Sequence, residues 1–140
     1  MTDLYLLDKS ALARVSAHAA VQMALQRLDD TGVLATTAVV DLEIGYSARS
    51  LAEFDSIAKD RAELYQELPI TRAATDRARA VQRNLVKRGK HRRPGVPDLL
   101  IAAIGEVYGA IVVHYDRDFD TIAAITGQPV EWIVPPGSVP

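Results

Sequence analysis

The run Val96-Pro97-Asp98-Leu99-Leu100-Ile101-Ala102-Ala103-Ile104 constrains this chain more than any other stretch. Pro97 suits a first helical position, where its missing N–H has no partner to lose, and every side chain from Leu99 to Ile104 is apolar. A helix apolar on all sides is a buried one. The chain must therefore wrap it in further layers, and 140 residues with 49% hydrophobic content can do so as one domain. Asp98 then lies at the edge of the core, beside a helix N-terminus whose partial positive charge favours an anion. Alone, it fits a helix cap.

The wrapping layers read as strands alternating with helices. Leu4 to Leu7 is a short apolar strand ending at Asp8, and Ala11 to Leu28 is helix-prone. Val33 to Thr36 reads as a second strand, after which Thr36 or Thr37 caps a helix running to about Ala48. An amphipathic helix over residues 50–67 precedes a short edge strand at Leu68-Pro69-Ile70. Thr71 caps the next helix, with a seam of Ala74, Ala78, Val81 and Leu85. Gly109 ends the buried helix, and Ala110 to Tyr115 is the clearest strand, apolar throughout as a buried parallel strand is. Phe119, Ile122, Ala123 and Ile125 mark a last helix, Val130 to Ile133 a last strand, and a Pro-rich tail is expected to fray. The pattern predicts an α/β domain over residues 1–134 with a mostly parallel central sheet covered on both faces, and a tail over 135–140.

In such sheets the binding crevice lies outside the carboxyl ends of the strands, where Asp8 and Asp116 each follow a strand. Projected at about 100° per residue, Glu43 falls inside the apolar face of its helix, while Asp41 points away and is expected to be solvated. A carboxylate in an apolar face costs several kcal/mol unless paired, protonated or metal-bound. Asp118 fits an N-cap and Asp120 a first-turn acid. Two carboxylates about 4 Å apart repel by about 4 kcal/mol at an effective dielectric constant near 20. If Asp8, Glu43, Asp98 and Asp116 share a crevice they need a cation or a proton, and an all-oxygen set selects Mg2+ or Mn2+.

The net charge of −2 conceals a segregation: residues 72–93 hold nine of the sixteen Lys and Arg but one of the eighteen acids. A negative partner that must also meet acids is indicated, as when nucleic acid is handled through metal ions. Without cysteine, thiol nucleophiles and thiolate metal sites are excluded. G-x-S-x-G, G-x-x-x-x-G-K-[ST] and G-x-G-x-x-G are absent, and His18, His91 and His114 lack metal-ligand spacing and read as surface or packing residues. No apolar run is long enough for a signal segment or a membrane span, so a cytoplasmic protein with no membrane partner is expected. Metal-assisted hydrolysis needs no protein nucleophile.

The ordered motifs LLDKSAL, VVDLEIGYSAR, VPDLLIAAIG and HYDRDFDTIA resemble the PIN-domain ribonucleases, most closely the VapC-type toxins of bacterial toxin–antitoxin pairs. The resemblance runs from Leu6 to about Trp132. It implies a three-layer α/β/α PIN fold and a metal-dependent endoribonuclease that cuts single-stranded or loop regions of structured RNA. Asp8, Glu43, Asp98 and Asp116 match the acidic quartet that binds Mg2+ or Mn2+, Asp118 a further acid, and Ser10 a hydroxyl near the first motif. Ser10, Arg83, Lys87, Lys90, Arg92 and Arg93 are then expected to contact RNA. The family also implies a homodimer silenced by a cognate antitoxin. Two alternatives are a non-catalytic RNA- or protein-binding domain and a haloacid-dehalogenase-like phosphatase using Asp8. The latter would want an acid two residues on, where this chain has Ser10.

Overall fold

Leu6 and Leu7 point to opposite faces of one strand, and each nucleates a layer of core. In the computed structural model, which describes residues 2–140, they belong to β1 (Asp3–Leu7). That strand lies at the centre of a five-stranded sheet with β2 (Gly32–Thr36), β3 (Gln66–Glu67), β4 (Ile111–His114) and β5 (Val130–Trp132), in the order β3-β2-β1-β4-β5. Every pairing is parallel. Leu6 stands level with Ala35 and Val112, and this face packs on α3 (Ala38–Tyr46), α5 (Arg72–Lys87), α6 (Val96–Tyr108) and α7 (Arg117–Thr126). Tyr5, Leu7, Leu34 and Val113 make the other face, against α1 (Lys9–Leu12) and α2 (Ala19–Thr31). The expected α/β/α sandwich results. One further helix, α4 (Leu51–Leu64), buries none of its residues.

The buried helix is α6, with Leu99 and Ile101 to Gly105 all inside. Gly105 permits its approach to the sheet, since a Cβ there would lie 2.7 Å from Cγ2 of Val112. Gly109 closes the helix in the left-handed region at φ 68°, where glycine pays no steric penalty. In α5 the buried residues are Ala74, Ala78, Val81 and Leu85, and the Thr71 hydroxyl accepts the N–H of Ala74 at 3.2 Å.

Four local expectations are corrected. The helix read over Ala11 to Leu28 is two helices. The Arg14 guanidinium donates to the Ser10 carbonyl at 2.7 Å, and the Arg14 N–H turns to Ala11 three residues back, so the chain tightens and breaks. The edge strand lies at Gln66–Glu67 and ends with the Leu68 N–H on the Thr36 carbonyl at 2.8 Å, because Pro69 has no N–H to continue the ladder. Pro97 is the second helical residue, after Val96. The tail is docked: the Tyr115 hydroxyl donates to the Val139 carbonyl at 2.8 Å and receives the Gly137 N–H at 2.9 Å. Among the described residues no helix is long and apolar enough to cross a membrane.

Candidate active site

Connections leave β1 toward β2 on one side and reach β4 on the other, so the carboxyl ends of β1 and β4 frame a crevice no crossover covers. Asp8 follows β1 directly and is 4% exposed. Its Oδ2 accepts the Ser10 N–H at 2.9 Å and the Ser10 hydroxyl at 2.6 Å, while its Oδ1 is buried without a partner. The Ser10 Oγ also accepts the Tyr115 N–H at 2.8 Å, which ties the end of β4 to the start of α1. That hydroxyl has only one proton, and Asp8 takes it.

Asp116 is the N-cap of α7, its Oδ1 accepting the Asp118 N–H at 2.9 Å. Asp118 is therefore not the cap expected from the sequence, because Asp116 occupies that position and leaves Asp118 in the first turn. Asp98 sits in the first turn of α6, with Oδ2 accepting the Gly95 N–H at 3.1 Å. Carboxylate oxygens of Asp98, Asp116 and Asp118 lie within 4.8 Å of one another. Asp8 and Glu43 both stand outside this trio; Glu43, on α3, has Oε1 buried and unpartnered over a concavity of about 460 Å3 that it lines with Lys9, Leu42, Tyr46, Pro97 and Leu100.

Burial and mutual repulsion hold these acids away from their usual range. Burial pushes Asp98 up from 3.8 to about 7; the Gly95 N–H pulls it back, and Asp8, Asp116 and Asp118 push it further. Glu43 is raised by burial and then by Asp8, against the opposing charge of Lys9. Asp118 is raised by burial and then by Asp116. Oxygen-only donors, two buried oxygens without partners and a carboxyl held near neutrality fit a hard divalent cation.

Asp41 is not solvated, as its helix projection predicted. It accepts the Thr36 hydroxyl at 2.5 Å and pairs with Arg61 Nε at 3.3 Å. The pair borders a second concavity of about 500 Å3 between α1, α3 and α4, lined among others by Leu12, Val15, Ile44, Ile57 and Tyr65. Arg61 had no signal in the sequence, since its partner lies on another helix. His114 is a packing residue, wholly buried. Arg83, Lys87, Lys90, Arg92 and Arg93 are exposed, and among the described residues none has an ion-pair partner, unlike Arg72, Arg77 and Arg79. They run from the end of α5 into the loop that delivers Asp98.

A family model described as PIN domain matches residues 5–125. Ribonuclease VapC51 of Mycobacterium tuberculosis is 44% identical over 135 residues, 96% of each chain. Ribonuclease VapC21 of the same organism is 45% identical over 139 residues, 99% of each. Among solved structures, the chain is similar to one in VapBC2 from Rickettsia felis bound to a DNA fragment from its promoter, with a TM-score of 0.78 and 17% identity over 92% of this chain and 98% of that one. It is likewise similar to one in VapBC-1 from nontypeable Haemophilus influenzae, with a TM-score of 0.77 and 14% identity over 93% and 98%. At those identities the structural likeness concerns the fold.

Proposed function

The chain belongs to the PIN-domain family and is a toxin endoribonuclease of the VapC type, and from that premise we propose that Asp8, Glu43, Asp98, Asp116 and Asp118 form one Mg2+ or Mn2+ site that cuts single-stranded or loop regions of structured RNA. The observation that carries this reading is the meeting of Asp98, Asp116 and Asp118 oxygens within 4.8 Å, with Asp8, whose Oδ1 is buried and unpartnered, acting on Asp98 by its charge. A divalent ion held by these carboxylates would acidify a water and neutralise charge on the scissile phosphate.

The chain's own residues prepare that chemistry. Ser10 fixes the Asp8 carboxylate by two hydrogen bonds to one oxygen and leaves the other free, so its part in RNA recognition runs through Asp8. Backbone N–H groups at two helix starts pin one oxygen each of Asp98 and Asp116. Asp98, pushed up to about 7, would have to give up its proton to hold a cation, so ion binding would release protons near neutral pH. Glu43, raised by burial and by Asp8, would complete the ion's oxygen donors from α3. Arg83, Lys87, Lys90, Arg92 and Arg93 hold the flanking phosphates.

The partners follow the same chemistry. A cognate antitoxin presents an Arg or Lys side chain to the acids and competes with the ion. Leu42 and Tyr46, 74% and 91% exposed, with Leu51 and Phe54 beside them, pack against a second copy across a two-fold axis in the cytoplasm. The test is cleavage of a structured RNA by purified protein with Mn2+ or with chelator, mapped at the new 5′ ends, with Asp8→Asn as control. Cleavage that survives both chelator and Asp8→Asn would sink the reading.

A further inference from the structure

We propose that His114 is a positioning residue for Asp116, receiving its backbone N–H on Nδ1, and that Asp120 and Trp132 hold His114 in the tautomer this requires. The inference rests on the ion-site reading above and adds to it a residue with no ligand contact of its own.

His114 ends β4 and has no exposed surface. Its carbonyl accepts the Ile133 N–H at 2.8 Å, which fixes its main chain against β5. Its ring lies beside Phe119 and Trp132, with centroid distances of 5.1 and 5.0 Å, so packing holds the plane of the imidazole. In that orientation Nδ1 is 3.1 Å from the Asp116 backbone nitrogen. Only a bare Nδ1 accepts an N–H, so the single proton of the neutral ring is on Nε2.

The far side of the ring matches this assignment. Nε2 has no hydrogen-bond partner, but Asp120 Oδ1 lies 3.8 Å away, and a negative oxygen there favours the N–H on that side. The other Asp120 oxygen accepts Trp132 Nε1–H at 3.0 Å, which keeps the carboxylate in place. The chain runs from Trp132 through Asp120 and His114 to the Asp116 N–H. Asp116 stands where the β4 ladder has ended and α7 has not begun, so the ring is the partner its N–H finds. With that N–H held and Oδ1 given to Asp118, the Asp116 carboxylate has one position beside Asp98. Groups that orient ligands in this way change ion affinity about 10- to 100-fold when removed.

The experiment is Mn2+ titration calorimetry without RNA, together with RNA cleavage kinetics and melting temperatures. His114→Phe keeps an aromatic ring and loses the acceptor; Mn2+ affinity should fall about 10-fold or more, with the KM for RNA essentially unchanged. His114→Asn, whose amide oxygen can stand where Nδ1 stood, should stay near the wild type, whereas His114→Gln, which places its amide near Nε2, should behave like His114→Phe. In the wild type at pH 7, imidazole 15N NMR should show the proton on Nε2, a readout that needs no variant to fold. Equal Mn2+ affinity in the wild type and His114→Phe, equal losses in the Asn and Gln variants, or a proton on Nδ1 would each overturn the role of His114 while leaving the ion site standing. A wild type that binds no Mn2+ would overturn both.

Discussion

Replacing Asp98 by Asn should make the ion-free protein more stable, because the site is assembled at the expense of the fold. The Asp98 carboxyl rises from 3.8 to about 7, chiefly through burial and then through its acidic neighbours. At 1.36 kcal/mol per pH unit, that difference is roughly 4 kcal/mol. Asp98 is only partly buried, so solvent screening reduces the figure to roughly 2 kcal/mol. The folded protein holds this proton more tightly than the unfolded chain does. The penalty is therefore absent below about 3.8, grows as pH rises toward 7 and is complete above it. Asn keeps the shape and can accept the Gly95 N–H that Asp98 accepts. For a chain of 140 residues, roughly 2 kcal/mol corresponds to about 7 °C in melting temperature. Melts in chelator should show Asp98→Asn higher by about that amount at pH 8 and by less at pH 5. Adding Mn2+ should raise the wild type and leave the variant nearly unmoved. A variant that melts below the wild type at pH 8 without ions would refute the reasoning, since the wild-type Asp98 carboxylate would then be stabilising.

Glu43→Gln should cut cleavage by roughly 100-fold or more while the ion-free melting temperature holds or rises, as steady-state kinetics and melts would show. Changing Lys90, Arg92 and Arg93 together to Ala should lower the salt dependence of RNA binding by about 0.7 per lost phosphate contact, read from binding isotherms at several salt concentrations. An unchanged slope would return these residues to a merely solvated face. Arg61→Met should cost about 1–3 kcal/mol in urea unfolding, because Asp41 keeps only the Thr36 hydroxyl, and should leave Mn2+ affinity unchanged. Tyr46→Lys should shift sedimentation toward the monomer if α3 and α4 form the two-fold contact.

The sequence made legible whatever was decided within one element. The seam of α5 is its buried face residue for residue, and the apolar run of β4 is a core strand. Asp8 and Asp116 stood out as candidates because strand ends in a parallel sheet share a rim, and Asp98 because a buried helix must start somewhere near it. What the sequence hid depends on partners far along the chain. A helical projection sees only its own helix, so Asp41 looked solvated although Arg61 waits on α4. The break after Leu12 depends on one guanidinium taking one carbonyl, and the docking of the tail on the Tyr115 hydroxyl and on Arg14, which donates to the Pro140 carbonyl. His114 was read as a surface or packing residue and is the latter, but the periodicity of a strand says nothing about which ring nitrogen meets which N–H.

Gly105 bears on the acids from a distance. It lets α6 lie closer to β4 than any side chain would allow, since an added Cβ would meet Val112 at 2.7 Å, well inside contact distance. Asp98 rides the same helix seven residues earlier, roughly 10 Å along its axis at 1.5 Å per residue, while Asp116 stands just past the end of the strand on which Val112 sits. The helix is thus a lever with Gly105 as its pivot, and the gap between the two carboxylates is set by how closely a backbone can rest on a valine. A single methyl group at that pivot would reset the spacing of these acids without altering one of them.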